Sequence, residues 1–518
     1  MCTLNLRGES MFVKVNSMGL LGLNAFRVET EIDAVRGTPG FDIVGLPDNA
    51  IKESRERVRL AVKNSGVEFP LAKITVNLAP ADTKKSGSLY DLAIYVAILC
   101  VAGVIENKIS DSAFIGELSL SGKIRGVSGI LPMAIQAKKN GIKKLYVPKT
   151  NAYEASVVEG IEVYGAEDVK DIVAHLKGES PILPEEKYTV KPDAYFADLD
   201  FSDVKGQQYA KRALEIAAAG GHNVLLIGTP GSGKSMLAKR LPTILPPMSF
   251  DESIETTQIY SIAGNTNPEH PLITERPFRS PHHTVSTAGL AGGGTIPKPG
   301  ELSLSHNGIL FLDELPEFNR SVLEVMRQPL EEKRVTIARV MGTVSYPCSV
   351  MMIAAMNPCP CGYYGHPVRR CTCSPKQISS YLSKVSGPLL DRIDLHVEVS
   401  PVEYQSISSA VPEESSEKIR ERVLRAREIQ NERFKGTDIS CNADISPKML
   451  HKVCTLTSKA DVILQGAFDK LGLSGRAYER IIKVARTIAD LDASEVIDKE
   501  HIAQAIQYRS LDRKYWSR

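Results

Sequence analysis

Several short segments carry side chains suited to cutting a phosphoanhydride bond. Gly228-Thr229-Pro230-Gly231-Ser232-Gly233-Lys234-Ser235 has the spacing G-x-x-x-x-G-K-[ST], between an apolar Val224-Leu225-Leu226-Ile227 and a helical Met236-Leu237-Ala238-Lys239-Arg240. Glycines let the backbone wrap a phosphate chain, and amides at the following helix start point inward. Lys234 would reach the β- and γ-phosphates and Ser235 the Mg²⁺. Downstream, Gly308-Ile309-Leu310-Phe311-Leu312-Asp313-Glu314 is an apolar run ending in two carboxylates. Asp313 would hold the Mg²⁺ shell, while Glu314 would take a proton from the attacking water. A third apolar run, Ser349 to Met356, ends at Asn357, an amide suited to orienting that water. Arg392, in Leu389-Leu390-Asp391-Arg392, and Arg476, in Leu473-Ser474-Gly475-Arg476, offer the cations that transition-state charge on the γ-phosphate requires. A surface ion pair is the competing reading for each arginine.

A second chemistry lies in the cysteines. Of nine, Cys359, Cys361, Cys371 and Cys373 crowd together, with Tyr363-Tyr364-Gly365-His366-Pro367 able to turn between the two C-x-C arms. Four soft ligands at closable distance suit tetrahedral Zn²⁺, with His366 a potential substitute for one thiol. Reduced thiols without metal, or a redox role, are the alternatives. Adjacent His282 and His283 cannot share one helical or strand face, which argues against a joint metal role.

Positioning these groups calls for a parallel sheet flanked by helices: strands at Asn223–Ile227, Ile309–Leu312 and Val350–Ala354, within a core of residues 201–400. Residues 401–518 are helical by periodicity and should form a small bundle. Residues 11–177 alternate strand-like runs (Phe26-Val28-Thr30, Ile74-Val76-Leu78) with helical ones (Ala50–Val67, Ile130–Asn140), an α/β or α+β pattern. Residues 178–200, rich in Pro and Glu, read as a linker. Residues 1–10 differ from the regular segment beginning at Met11 and read as a non-native start or a disordered leader.

A chain of 518 residues suits roughly three domains. Its 43% hydrophobic and 24% charged residues exclude a disordered chain, and a net charge of +2 excludes a globally basic nucleic-acid binder, so DNA contact would be local. The longest apolar run, Leu92–Ile105, is too short to span a bilayer and reads as a buried helix. No membrane partner is expected. With no signal-peptide pattern and an odd, clustered cysteine set, the expected compartment is the reducing cytoplasm.

Together these motifs resemble the ComM/YifB family of magnesium-chelatase-like AAA+ ATPases, from Met11 to nearly the end of the chain. The resemblance rests on the phosphate loop, Arg279-Ser280-Pro281-His282-His283-Thr284, Gly300-Glu301-Leu302-Ser303-Leu304-Ser305-His306-Asn307-Gly308, and Asp313-Glu314-Leu315-Pro316-Glu317-Phe318. Ala355-Met356-Asn357-Pro358-Cys359-Pro360-Cys361-Gly362 and Leu389-Leu390-Asp391-Arg392 complete it. It implies a P-loop AAA+ core with a parallel sheet and a helical lid, ATP and Mg²⁺ as cofactors, and a hexameric ring. It also implies Asn357 as sensor 1, Arg392 as the finger reaching a neighbour's ATP and Arg476 as sensor 2. The implied function is DNA translocation with branch migration during recombination in natural transformation, on single-stranded and branched DNA, with recombination proteins as further partners. Magnesium-chelatase-like remodelling of a protein partner is the alternative.

For such a motor, Thr284–Pro299 reads as a flexible insert and Arg334–Tyr346 as a hairpin, with Lys333, Arg334 and Arg339 as candidate phosphate contacts. A solvated basic hairpin is the plainer reading. Phe114-Ile115-Gly116-Glu117-Leu118, Gly122-Lys123-Ile124-Arg125, Gly129-Ile130 and Gly141-Ile142-Lys143-Lys144 resemble the proteolytic domain of Lon proteases. That resemblance implies Ser88 at the nucleophile position, but it places Leu131 where the activating lysine belongs. An unactivated serine hydroxyl is a poor nucleophile, so a structural or DNA-guiding tier is expected.

Overall fold

The computed structural model describes residues 11–189, 198–294, 297–339, 342–366, 368–401, 413–511 and 515–516. Residues 1–10 and the 190–197 part of the expected linker lie outside the described residues.

The amino-terminal part is built on a seven-stranded mixed sheet. Its order is Gly40–Val44, Lys73–Ala79, Asn24–Val35, Met11–Leu21, Ser112–Phe114, Lys144–Pro148 and Glu162–Ala166. Met11–Leu21 and Asn24–Val35 form one long antiparallel hairpin, register Met11↔Ala34 to Leu21↔Asn24, whereas the last three strands run parallel to Met11–Leu21. The apolar run condenses into the helix Asp91–Val101, every residue of which is buried. A helix covered on all sides needs no polar face, which explains its lack of amphipathic period.

The second sheet carries the phosphate-loop motif. Five parallel strands lie in the order Phe278–Arg279, Ile309–Leu312, Met351–Met356, Val224–Gly228, Leu395–Val399. The three central ones are buried throughout, as strands covered on both faces must be. The two outer strands escape sequence reading for physical reasons. Phe278–Arg279 is too short to show a period, and Leu395–Val399 interleaves His396 and Glu398 with its apolar residues. The register pairs Ile227 with Met356 and Leu312 with Ala354, so the phosphate loop, Asp313-Glu314 and Asn357 emerge together at the carboxyl edge.

The segment expected as a flexible insert is more ordered than that. Ser286 caps a short helix, Thr287–Ala291, and Gly292–Gly293 pairs antiparallel with Lys298–Pro299. Arg334–Arg339 and Gly342–Pro347 form the expected hairpin. Beyond residue 413 the described elements are helical, chiefly Ser416–Arg433, Ser458–Leu471, Gly475–Leu491 and Lys499–Gln507. Gly475–Leu491 buries one face against Gln208–Gly220 of the core and carries Asp490, which bonds Arg433, Arg486 and Asn442.

Among the described residues, the amino-terminal part docks on the part built around the second sheet at two places. The Gly129 amide donates to Ser261 O at 2.9 Å, and the buried Glu154 carboxylate accepts from the Leu131 amide, the Ser261 hydroxyl and the Thr266 hydroxyl. Burial pushes the Glu154 carboxyl up, against these donors. Gly22, at the turn of the long hairpin, lies so close to Val344 that a Cβ would stand 2.2 Å from its Cγ1. Among the described residues, no helix is long and apolar enough to cross a membrane.

Candidate active site

At the carboxyl edge, Val224–Gly228 turns directly into the loop 229–233, and the helix Lys234–Arg240 begins at Gly233, whose φ of 92° favours glycine. Gly228 approaches the Val399 carbonyl so closely that a Cβ would stand 2.4 Å from its oxygen. A larger residue would push the loop off the sheet. Lys234 is 8% exposed, and its ammonium donates to Gly228 O at 2.8 Å, Thr229 O at 2.9 Å and Asn357 Oδ1 at 3.2 Å. Burial lowers its pKa, with the Asp313 charge opposing. The Ser235 hydroxyl donates to Asp313 Oδ2 at 2.6 Å. The Glu314 amide donates to Asp313 Oδ1 at 2.9 Å, while Glu314 takes a positive φ of 54° that turns its carboxylate outward to 58% exposure.

One neighbour of Glu314 was missed from sequence: His283 Nδ1 lies 3.3 Å from its Oε2. His282 faces the Thr284 hydroxyl at 2.9 Å, and the two imidazole rings lie with centroids 4.0 Å apart, tilted by 34°. The available signal was position, since His283 closely follows the strand Phe278–Arg279 that lies beside Ile309–Leu312.

A second missed feature is a cavity of about 570 Å³ lined by Gln207, Tyr209, Glu398, Ser400, Gln507 and Leu511, among others. Gln207, at φ 58°, bridges it to the phosphate loop by donating to Ser232 O at 3.2 Å. Its volume suits a purine nucleoside beside the phosphates.

The arginines are elsewhere. Arg392 and Arg476 share a depression with Lys333, Arg480 and Lys483, and with Glu331, Asp394, Asp444 and Glu479. Asn223, Val350 and Asp394 also line it, and these residues precede the strands Val224–Gly228, Met351–Met356 and Leu395–Val399. The depression is therefore at the amino edge, a strand length of roughly 15 Å from the phosphate loop. Arg392 is held there by Glu331 at 2.6 Å and Arg327 O at 3.0 Å, whereas Arg476 is exposed. Neither reaches its own chain's phosphate loop. Lys333, expected on DNA, is bound to Asp444 at 2.5 Å in the same depression.

The four clustered thiols come together: all Sγ atoms lie within 4.8 Å of one another, with pairs at 3.4, 3.5 and 3.7 Å. A tetrahedron with Zn–S bonds of about 2.3 Å has edges of about 3.8 Å. Amides of Cys361 and Cys373 donate to the sulfurs of Cys373 and Cys371, stabilising charge on them. His366 stays outside, its Nδ1 accepting from the Val368 and Arg369 amides.

At the Lon-like site, the Ser88 hydroxyl donates to Glu117 and Leu131 is fully buried. Lys85, close in sequence, donates instead to Pro80 O. No described contact gives Ser88 an ammonium base.

Three family descriptions match in succession: subunit ChlI of Mg-chelatase over residues 30–151, magnesium chelatase subunit ChlI over 200–407, and the ChlI C-terminal region over 413–509. The uncharacterized protein YifB of Escherichia coli K12 is 44% identical over 504 residues, covering 96% of this chain and 97% of that protein. Competence protein ComM of Haemophilus influenzae is 44% identical over 505 residues, again 96% and 97%. A Lon protease of Acinetobacter baumannii is 25% identical over 177 residues, 32% of this chain and 22% of that protein. With a parallel-sheet core that gathers its phosphate-loop motif, Asp313-Glu314 and Asn357 at one edge, the chain belongs to the ComM/YifB family of magnesium-chelatase-like AAA+ ATPases.

Proposed function

We propose that this chain is an ATP-hydrolysing ring motor that drives DNA branch migration during recombination in natural transformation. One observation carries the motor reading: the phosphate loop and the depression that holds Arg392 and Arg476 occupy opposite edges of one sheet. A site divided in this way is complete only where the carboxyl edge of one subunit meets the amino edge of the next, the arrangement of a closed ring. Bound ATP would lie with its base in the Gln207–Leu511 cavity and its phosphates against Lys234. Ser235 and Asp313 would hold the Mg²⁺, which supplies charge neutralisation on the phosphates. Glu314 would accept the proton of a water oriented by Asn357, with the neighbour's Arg392 and Arg476 facing the γ-phosphate.

For DNA, the groove between Thr287–Gly292 and the hairpin strand Arg334–Arg339 is the favoured contact, with Arg334 and Arg339 exposed on the hairpin. Likeness to a competence protein supports DNA as the substrate, and likeness to a chelatase subunit supports the rival, a motor remodelling a protein. The ATPase rate with and without forked DNA separates them. Stimulation by forked DNA that falls steeply with salt is the expected result. No response to any DNA, with activation by a protein partner, would establish the rival.

The thiol cluster is proposed to hold one structural Zn²⁺. Elemental analysis of protein purified without chelator should find about one zinc per chain, lost in a Cys371→Ser/Cys373→Ser variant. Metal-free protein with full ATPase activity would establish the free-thiol alternative.

A further inference from the structure

The cysteine cluster touches the ATP site from two directions. The strand Met351–Met356 passes through Asn357 and Pro358 into Cys359, which is fully buried, and Asn357 Oδ1 accepts the Lys234 ammonium at 3.2 Å. On the other side, Gly362 follows Cys361 at φ 83° and lies directly on Pro230 of the phosphate loop, where a Cβ would stand 2.5 Å from Pro230 Cδ. Pro230 is otherwise exposed. The second arm leads from Cys373 into Ser374, the cap of the helix Pro375–Leu382, whose buried Tyr381 meets the Asn357 backbone. Residues 362–366 form neither helix nor strand. Besides local turn bonds and a Tyr364–Tyr515 ring contact, what holds them over Pro230 is the pair of arms that Cys359, Cys361, Cys371 and Cys373 bring together.

We propose that the four cysteines form a positioning clamp for the phosphate loop: closed on one Zn²⁺, they hold Gly362 against Pro230 and Asn357 against Lys234, so that nucleotide affinity depends on the metal. This rests on the zinc reading above. The physical basis is preorganisation. A nest of backbone amides binds phosphate well only when it is already shaped, and a loop free to sample other conformations loses affinity in proportion to the time spent in them. Zinc is suited to this role because it has no redox chemistry of its own and, with four thiolates, leaves no position open for substrate. The cluster is thus a support for the site and not a second centre of reaction. Gly362 is a positioning residue: it touches the loop and not the nucleotide.

The test uses the full chain and two readouts, zinc per chain by elemental analysis and the Kd of a fluorescent ADP analogue by titration. Removing zinc with a chelator, with helicity checked by circular dichroism, should weaken ADP binding by roughly tenfold, and added Zn²⁺ should restore it. Gly362→Val keeps all four thiols but places a branched side chain at a positive φ against Pro230. It should retain zinc and still lose roughly tenfold in ADP affinity, the scale of a strained backbone position. Zinc-loaded protein whose ADP affinity stays the same both on stripping and in Gly362→Val would overturn the clamp while leaving the zinc site standing. Protein that never binds zinc would overturn the zinc reading and the clamp together. If stripping unfolds the chain, Gly362→Val alone decides: zinc retained with unchanged affinity overturns the proposal.

Discussion

Glu314→Gln is expected to bind ATP as the parent does and to turn it over on the order of 10²–10⁴ times more slowly, the usual loss when a positioned general base is removed. The substitution keeps the size and polarity of the side chain and removes its basicity. The groups proposed to hold phosphate and metal should not notice it. Lys234 is fixed by Gly228 O, Thr229 O and Asn357, and Ser235 by Asp313, so none of these bonds involves the Glu314 carboxylate. Backbone strain should be unchanged as well, since Gln and Glu meet the same cost at φ 54°. Among the described residues that carboxylate meets His283 at 3.3 Å. An amide can still bond an imidazole, so the loop after Phe278–Arg279 should stay in place. Fluorescent nucleotide titration checks the first half of this expectation and phosphate release the second. A purified variant hydrolysing ATP near the parent rate would remove Glu314 from the role of base.

What sequence disclosed here follows from how locally each feature is built. The phosphate loop is contiguous, and its strand, turn and helix lie within the same short stretch, so spacing alone located it. The Asp313-Glu314 and Asn357 runs were legible because a fully buried strand is continuously apolar and ends where polarity begins. The clustered cysteines were legible for the same reason of proximity, although the structure has His366 capping backbone amides outside the thiol cluster. The cavity beside the phosphate loop was not legible, because Gln207, Ser400 and Gln507 come from three separate parts of the chain and share no pattern. Nor was the dock at Glu154, where a buried carboxylate draws donors from both sides of the contact. Arg476 marks the limit most clearly. Its place at a helix start could be read from Ser474-Gly475, but which end of the sheet the helix faces is decided by packing of Gly475–Leu491 on Gln208–Gly220.

That placement has the second large consequence, in mixtures of inactive subunits. Arg392→Ala and Arg476→Ala should each bind ATP and assemble, because their own phosphate loops are untouched, yet hydrolyse little. The cations stabilise charge that develops only in the transition state. Lys234→Ala should fail earlier, at nucleotide binding. Mixed with Lys234→Ala, either arginine variant should recover activity, since some interfaces then pair an intact phosphate loop with a neighbour that keeps both arginines. The decisive mixture is Arg392→Ala with Arg476→Ala. Because both side chains line one depression at the amino edge, both should act on the same neighbouring site. Every interface in that mixture then lacks one cation or the other, and no ratio should restore hydrolysis. Were Arg476 to act within its own subunit, an Arg392→Ala subunit would supply loop and Arg476 while its Arg476→Ala neighbour supplied Arg392, and activity would return. Recovery in that mixture, with subunit exchange verified, would place Arg476 on its own chain's nucleotide. Absence of recovery with Lys234→Ala would remove both arginines from a neighbour's site altogether.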